Sequence, residues 1–209
     1  MSIRTDMAAE SFSQAGGAEK LQGVKVKNKV IENARLEVTD ITIETQEAAE
    51  KLGRPVGRYI TLTATDSTFD MYSDSFRERA EAIAKAIGEL CGGCERFLAV
   101  GLGNYALTSD AVGPLTAEKI FATRHIKSLA KEIDTDDLGE VTVIQTGVLG
   151  NTGIESSEQV KAIAERVTPQ AVIAVDALAC SELSNLGRTI QLCDTGISPG
   201  SGVENARKE

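Results

Sequence analysis

The rhythm of apolar and polar positions changes near residue 76. Before it the pattern mostly alternates. Val24-Lys-Val-Lys-Asn-Lys-Val30 reads as a half-exposed strand, and residues 36–43 alternate likewise, Leu36 and Val38 giving way to Ile41 and Ile43 after a slip in register. Residues 46–52 suit a short helix closed by Gly53, and Pro55 and Gly57 mark a turn into Tyr59-Ile-Thr-Leu-Thr63, a third strand. These pieces predict an antiparallel layer. After residue 76 helical and extended patterns take turns. Phe76, Ala80, Ile83, Ala84, Ile87 and Leu90 share one helical face and Arg77, Glu78, Glu81 and Lys85 the other, with Ser73 or Asp74 as the cap. Residues 97–100 form an unbroken apolar run, as in a strand buried on both faces. A helix is expected from Pro114 to about Lys131, then a strand at 141–146 and a glycine loop at 147–153. Ser156 with Gln159 reads as a capping box opening the next helix. A buried strand at 171–175, a short helix at 178–186 and a strand at 189–192 complete the chain.

Strand and helix alternating from 76 to 194 predict an α/β fold with a mostly parallel sheet and helices on both faces, plus the N-terminal β-rich layer. Residues 1–22, small and polar, read as an N-terminal arm; 23–209 read as a single α/β domain with 23–65 as its β-rich part.

The stretch from Phe97 to Pro114 is the centre of the candidate chemistry. Gly101 and Gly103 let the chain turn sharply after the strand and deliver a polar loop ending on Asp110. Ligands of α/β sheets gather at such carboxyl ends. Gly101-x-Gly103-x-x-Ala106 also fits a dinucleotide fingerprint, but there the helix opens on the glycines, whereas here about ten residues and a proline intervene. No cofactor is expected. Asp176 and Asp194 likewise follow strands, and Glu155 follows the glycine loop, so four carboxylates are expected at one sheet edge. Asp110 and Asp194 are expected within one water-bridged reach of each other, with Asp176 or Glu155 nearby. Like-charge repulsion would raise one pKa, letting one act as acid and the other as base on a water. The same oxygen-rich set could instead hold a divalent cation, and loop aspartates that merely face solvent are the bland alternative.

Other chemistries are disfavoured. Gly196-Ile-Ser198-Pro-Gly200 fits G-x-S-x-G, but Pro199 has no N–H for an oxyanion, and His125, the sole histidine, precedes the serine. His125 reads as a structural histidine on the helix after Pro114. Cys91-x-x-Cys94 ends a helix, where no N-terminal dipole lowers a thiol pKa, and Cys180 and Cys193 lack the spacing of a second zinc pair. The 209 residues are 42% hydrophobic and carry a net charge of −9, which argues against direct nucleic-acid binding. No segment has the length of a membrane span and no signal peptide opens the chain, so the cytoplasm is expected.

Ile3-Arg-Thr-Asp6, Gly57-Arg-Tyr-Ile-Thr-Leu62, Val100-Gly-Leu-Gly-Asn104, Asp110-Ala-Val-Gly-Pro114, Thr123-Arg-His125, Gly153-Ile-Glu155, Asp176-Ala-Leu178 and the run from Thr189 through Asp194 to Gly202 resemble the germination protease of spore-forming bacteria. The resemblance implies an endopeptidase that degrades small acid-soluble spore proteins in the spore core at germination. It also implies a homotetramer, a fold similar to hydrogenase-maturation peptidases, and an aspartic-type mechanism with Asp110 and Asp194 as the catalytic pair. Those maturation peptidases hold a metal through a carboxylate in a comparable loop, which keeps a metal-dependent peptidase as the alternative. Only Met1-Ser2 precedes Ile3, where the family carries a removable propeptide, and the family continues well past Gly202. A fragment, or a shortened and catalytically silent binding protein, is therefore a further expectation.

Overall fold

The computed structural model describes residues 5–16, 22–129, 135 and 138–197. Within them the chain is α/β and divides into two compact units. One takes in the described parts of Met1–Gly92 together with Leu178–Gly196, the other Gly93–Ala177 and Ile197. Among the described residues no helix is long and apolar enough to cross a membrane.

The first unit is built on a four-stranded antiparallel sheet in the order β1-β2-β3-β7, with β1 Val24–Ile31, β2 Leu36–Ile43, β3 Gly57–Ala64 and β7 Thr189–Cys193. The pairing of β2 with both neighbours runs without a break, so the expected slip in register is absent. What changes along β2 is the face that is covered. Leu36 and Val38 pack with Ile60, Leu62, Ala64 and the Ala82, Ile83, Ala86 and Leu90 side chains of α3, Phe76–Cys91. Ile41 and Ile43 point to the opposite face, against α1 (Ala8–Gln14) and α2 (Gln46–Leu52).

Helix α3 is rotated from the expected apolar face. Ser75 rather than Ser73 or Asp74 is the N-cap residue, without a side-chain capping bond. The buried stripe runs through Arg79, while Phe76 stays 49% exposed. The Arg79 guanidinium, with the residue only 1% exposed, donates to the carbonyls of Ala34 and Thr68 and to the Asp66 carboxylate, and lies over the Phe69 ring. A buried cation with that many acceptors overrides the apolar rule.

The second unit carries a parallel three-stranded sheet in the order β5-β4-β6, with β4 Arg96–Leu102, β5 Glu140–Gly147 and β6 Ala171–Val175. Both faces are covered. Leu98, Val100 and Leu102 pack on Val160, Ile163 and Ala164 of α7, Ser156–Val167. On the other face, α4 (Val112–Lys119) approaches so closely that a Cβ on Gly101 would lie 2.4 Å from the Gly113 carbonyl oxygen. β6 is an edge strand rather than a buried one, and Val172 is 46% exposed.

The expected parallel sheet of four strands therefore has three. The strand ending before Asp194 joins the antiparallel sheet instead, because its Ile190 and Leu192 register with Leu62 and Ile60 and extend the face under α3. The long helix expected to about Lys131 breaks after Lys119 and resumes as α5, Arg124–Leu129. Between them Thr123 bonds to β5: its N–H donates to the Val141 carbonyl and its hydroxyl accepts the Val141 N–H. The loop at 147–153 contains a one-turn helix, α6 (Leu149–Thr152). The helix expected at 178–186 is reduced to a 3-10 turn, Leu183–Asn185, because the Glu10 carboxylate takes the Ser181 and Glu182 N–H groups.

Candidate functional site

In the second unit β4 ends in a bulge. Gly101 pairs with Gln145 but Leu102 with Gly147, and Gly103 follows at φ 111°. The loop after it closes on itself. The Asn104 N–H donates both to the Asp110 backbone carbonyl, at 3.1 Å, and to Asp110 Oδ2, at 2.9 Å. The Asn104 side chain accepts the Ala106 N–H, and the Asp110 N–H donates to the Leu107 carbonyl. Asp110 thus sits at the end of a 3-10 turn, Thr108–Asp110, half-buried, just before α4.

In the first unit Asp194 leaves β7 opposite the start of β3. The Arg58 N–H donates to Asp194 Oδ1 at 2.8 Å, and the Asp194 N–H donates back to the Arg58 carbonyl at 3.3 Å. The Arg58 guanidinium clasps Asp40 with two bonds, of 3.0 and 2.8 Å, and reaches Glu89 on α3 at 2.8 Å. Those two carboxylates hold it above its ordinary pKa. The donor residue is thereby fixed at both its main chain and its side chain.

The two aspartates share a local arrangement. Each takes, on one carboxylate oxygen, the N–H of the residue that follows a glycine: Gly57-Arg58 for Asp194, Gly103-Asn104 for Asp110. A Cβ on Gly57 would lie 2.6 Å from Asp194 Oδ1, and one on Gly103 would lie 2.2 Å from the Asp110 carbonyl oxygen and 3.0 Å from Asp110 Oδ1.

A family model described as "Germination protease" matches residues 3–209. The chain belongs to the germination protease family. Germination proteases of Clostridium perfringens are 37% identical over 99% of this chain, which covers 64% of the relative. That of Clostridium tetani is 37% identical over the full chain and 65% of its own length, and that of Caldanaerobacter subterraneus 38% identical over 99% and 63%. The chain spans somewhat less than two thirds of the length of these curated relatives.

Asp110, Glu155 and Asp176 belong to the unit with the parallel sheet, each beyond the carboxyl end of one of its strands; Asp194 belongs to the other unit. Asp176 accepts the Ala177 N–H at 2.8 Å. Glu155 is the N-cap of α7: its carboxylate takes a backbone N–H of the first turn, and Glu158 takes the Glu155 N–H in return. The capping box is therefore Glu155/Glu158, one residue earlier than the expected Ser156/Gln159. Ser156 is engaged otherwise, accepting from Thr146 Oγ1 and donating to the Gly147 carbonyl.

His125 is exposed on α5, and Cys91 is the last residue of α3, capped by left-handed Gly92. The Ser198–Pro199 pair lies outside the described residues. Among the described residues no group of three or more His, Cys, Asp or Glu side chains is placed to hold a metal ion. Gly57, Arg58 and Asn104 stand in motifs legible in the sequence, but nothing there assigned them a task. The available signal was Gly57 itself, a glycine at a strand position that usually disfavours it.

Proposed function

We propose that this chain is the aspartic-type endopeptidase of its family, cleaving small acid-soluble spore proteins in the spore core, with Asp110 and Asp194 activating the attacking water. The observation that carries the reading is the shared arrangement of the two carboxylates. Each has one oxygen engaged by a backbone N–H, and no other donor among the described residues reaches the second oxygen. A carboxylate so held keeps a fixed orientation and leaves its other oxygen for proton transfer. One aspartate takes a proton from water as the water oxygen bonds to the peptide carbonyl carbon and the C=O pair moves onto oxygen. Collapse of that intermediate breaks the C–N bond, and the other aspartate's proton goes to the leaving nitrogen. Glu155 and Asp176 are assigned to lining the site, and a homotetramer is the assigned assembly, checked by sedimentation. A fold similar to hydrogenase-maturation peptidases is part of the same proposal, to be checked by superposing the unit with the parallel sheet on one of them.

Asparagine can accept the same backbone N–H as aspartate, so Asp110→Asn and Asp194→Asn preserve the local fold and remove proton transfer. Each is expected to lower cleavage of a spore-protein substrate by about two to four orders of magnitude, with the double variant little worse than either single one. Activity is expected to survive stripping with a strong chelator. Activity lost on chelation and restored by one divalent ion would instead make these carboxylates metal ligands.

A further inference from the structure

We infer that Gly57-Arg58 and Gly103-Asn104 are positioning pairs for the two aspartates. Each donated N–H fixes one carboxylate oxygen, each glycine keeps clear the space around its aspartate, and Asp194 Oδ2 and Asp110 Oδ1 are the oxygens that exchange protons with water. This rests on the catalytic reading of Asp110 and Asp194.

The steric side is specific. At Gly57 an added methyl would meet the Thr195 methyl at 2.2 Å and Asp194 Oδ1 at 2.6 Å, so it would drive the carboxylate off the Arg58 N–H. At Gly103 it would meet the Asp110 carbonyl at 2.2 Å and Oδ1, the oxygen that does not take the Asn104 N–H, at 3.0 Å. Contacts below 3.0 Å are not tolerated by a packed Cβ, so something must shift. The electrostatic side is equally local. A carboxylate offers about four lone-pair sites, and here one oxygen is held by a main-chain donor that no side-chain substitution can remove. The same device occurs at the end of a β4 bulge in one unit and at a sheet margin in the other, on unrelated backbone. The pairs act through the aspartates rather than on substrate, so their loss should reach kcat and leave KM almost untouched.

The test uses the active protein and a spore-protein substrate. Gly57→Ala and Gly103→Ala are expected to lower kcat by about 10- to 100-fold, with KM within about twofold, the scale of a misplaced reacting group. Gly53→Ala is the control: Gly53 also has positive φ, 62°, but nothing lies within 4 Å of its missing Cβ, and kcat should not change. Adding Thr195→Ser to Gly57→Ala removes the methyl contact but not the carboxylate one. Recovery of kcat in that double variant would assign the defect to methyl packing and overturn the inference for Asp194. If the glycine variants do not fold, amide resonances decide. The Arg58 and Asn104 amide protons should move upfield in Asp194→Asn and Asp110→Asn respectively, because each loses a charged acceptor; unmoved resonances overturn the inference. Glycine variants with wild-type kcat beside inactive asparagine variants sink the positioning role alone. Asparagine variants that retain full activity sink the catalytic reading, and this inference with it.

Discussion

Glu10 lies in the first turn of α1, yet most of its partners are 171 and more residues further along the chain. Its carboxylate accepts the Ser181 N–H and hydroxyl, the Glu182 N–H and the Asn185 amide, and the residue is 7% exposed. Burial pushes its carboxyl up, but the hydrogen bonds from Ser181, Thr5 and Asn185 outweigh that and bring it from 4.5 down to about 2. The folded form therefore binds its proton less readily than the unfolded chain. The stabilisation is complete above about pH 4.5 and is lost as pH falls toward about 2. Glu10→Gln should lower stability near neutral pH by about 1–3 kcal/mol and flatten the decline in melting temperature on acidification; an unchanged acid limb would show that Glu10 does not anchor the 181–185 segment. Neither Glu10 nor Arg79 was legible as a buried charge, because most of their partners come from segments far away in sequence or from backbone carbonyls, which carry no residue signature.

The elements themselves were largely legible, and the misses have particular causes. Gly53 closes α2 in the left-handed conformation, as its position suggests; eight residues, 104–111, separate the Gly101–Gly103 turn from a helix that opens at Val112, fewer than the expected ten or so, and Pro114 lies inside that helix. The break at Ile120 was hidden because Thr123, an ordinary helical residue by pattern, is recruited by the edge of β5. The seam between α4 and β4 was also invisible, since two glycines 12 residues apart reveal nothing until they meet. A Cβ on Gly113 would fall 2.2 Å from the Leu102 carbonyl oxygen and 2.4 Å from that of Val175. Gly113→Ala must therefore lift the first turn of α4 from the sheet. A loss of about 1–3 kcal/mol is expected in urea denaturation, with perturbed amide resonances in the Asp110 loop that α4 follows. A fully stable variant with an unchanged loop would mean that the helix slides without cost.

For the molecule as a whole, the pairing of strands into two sheets was the least legible feature. Thr189-Ile-Gln-Leu192 has the alternating character of an antiparallel strand with two different faces, unlike the unbroken run at 97–100, and that contrast was the available clue. Asp110 and Asp194 were recognisable as candidates; the glycine-and-amide arrangement holding each depends on backbone geometry, which the residue pattern alone does not display. The absence of a slip in β2 has a consequence for how the first unit comes apart. Leu36 and Val38 are embedded in one apolar cluster and Ile41 and Ile43 in another, on opposite sides of the same ribbon. β2 lines both clusters, so it cannot leave without exposing both. Loosening either side must then propagate through the strand as a single cooperative event. The amide protons of β2 are expected to be among the slowest of this unit to exchange with deuterium, with Val38→Ala and Ile41→Ala accelerating exchange along the whole strand alike. Acceleration confined to the half that carries the substitution would divide the unit into two independently melting parts.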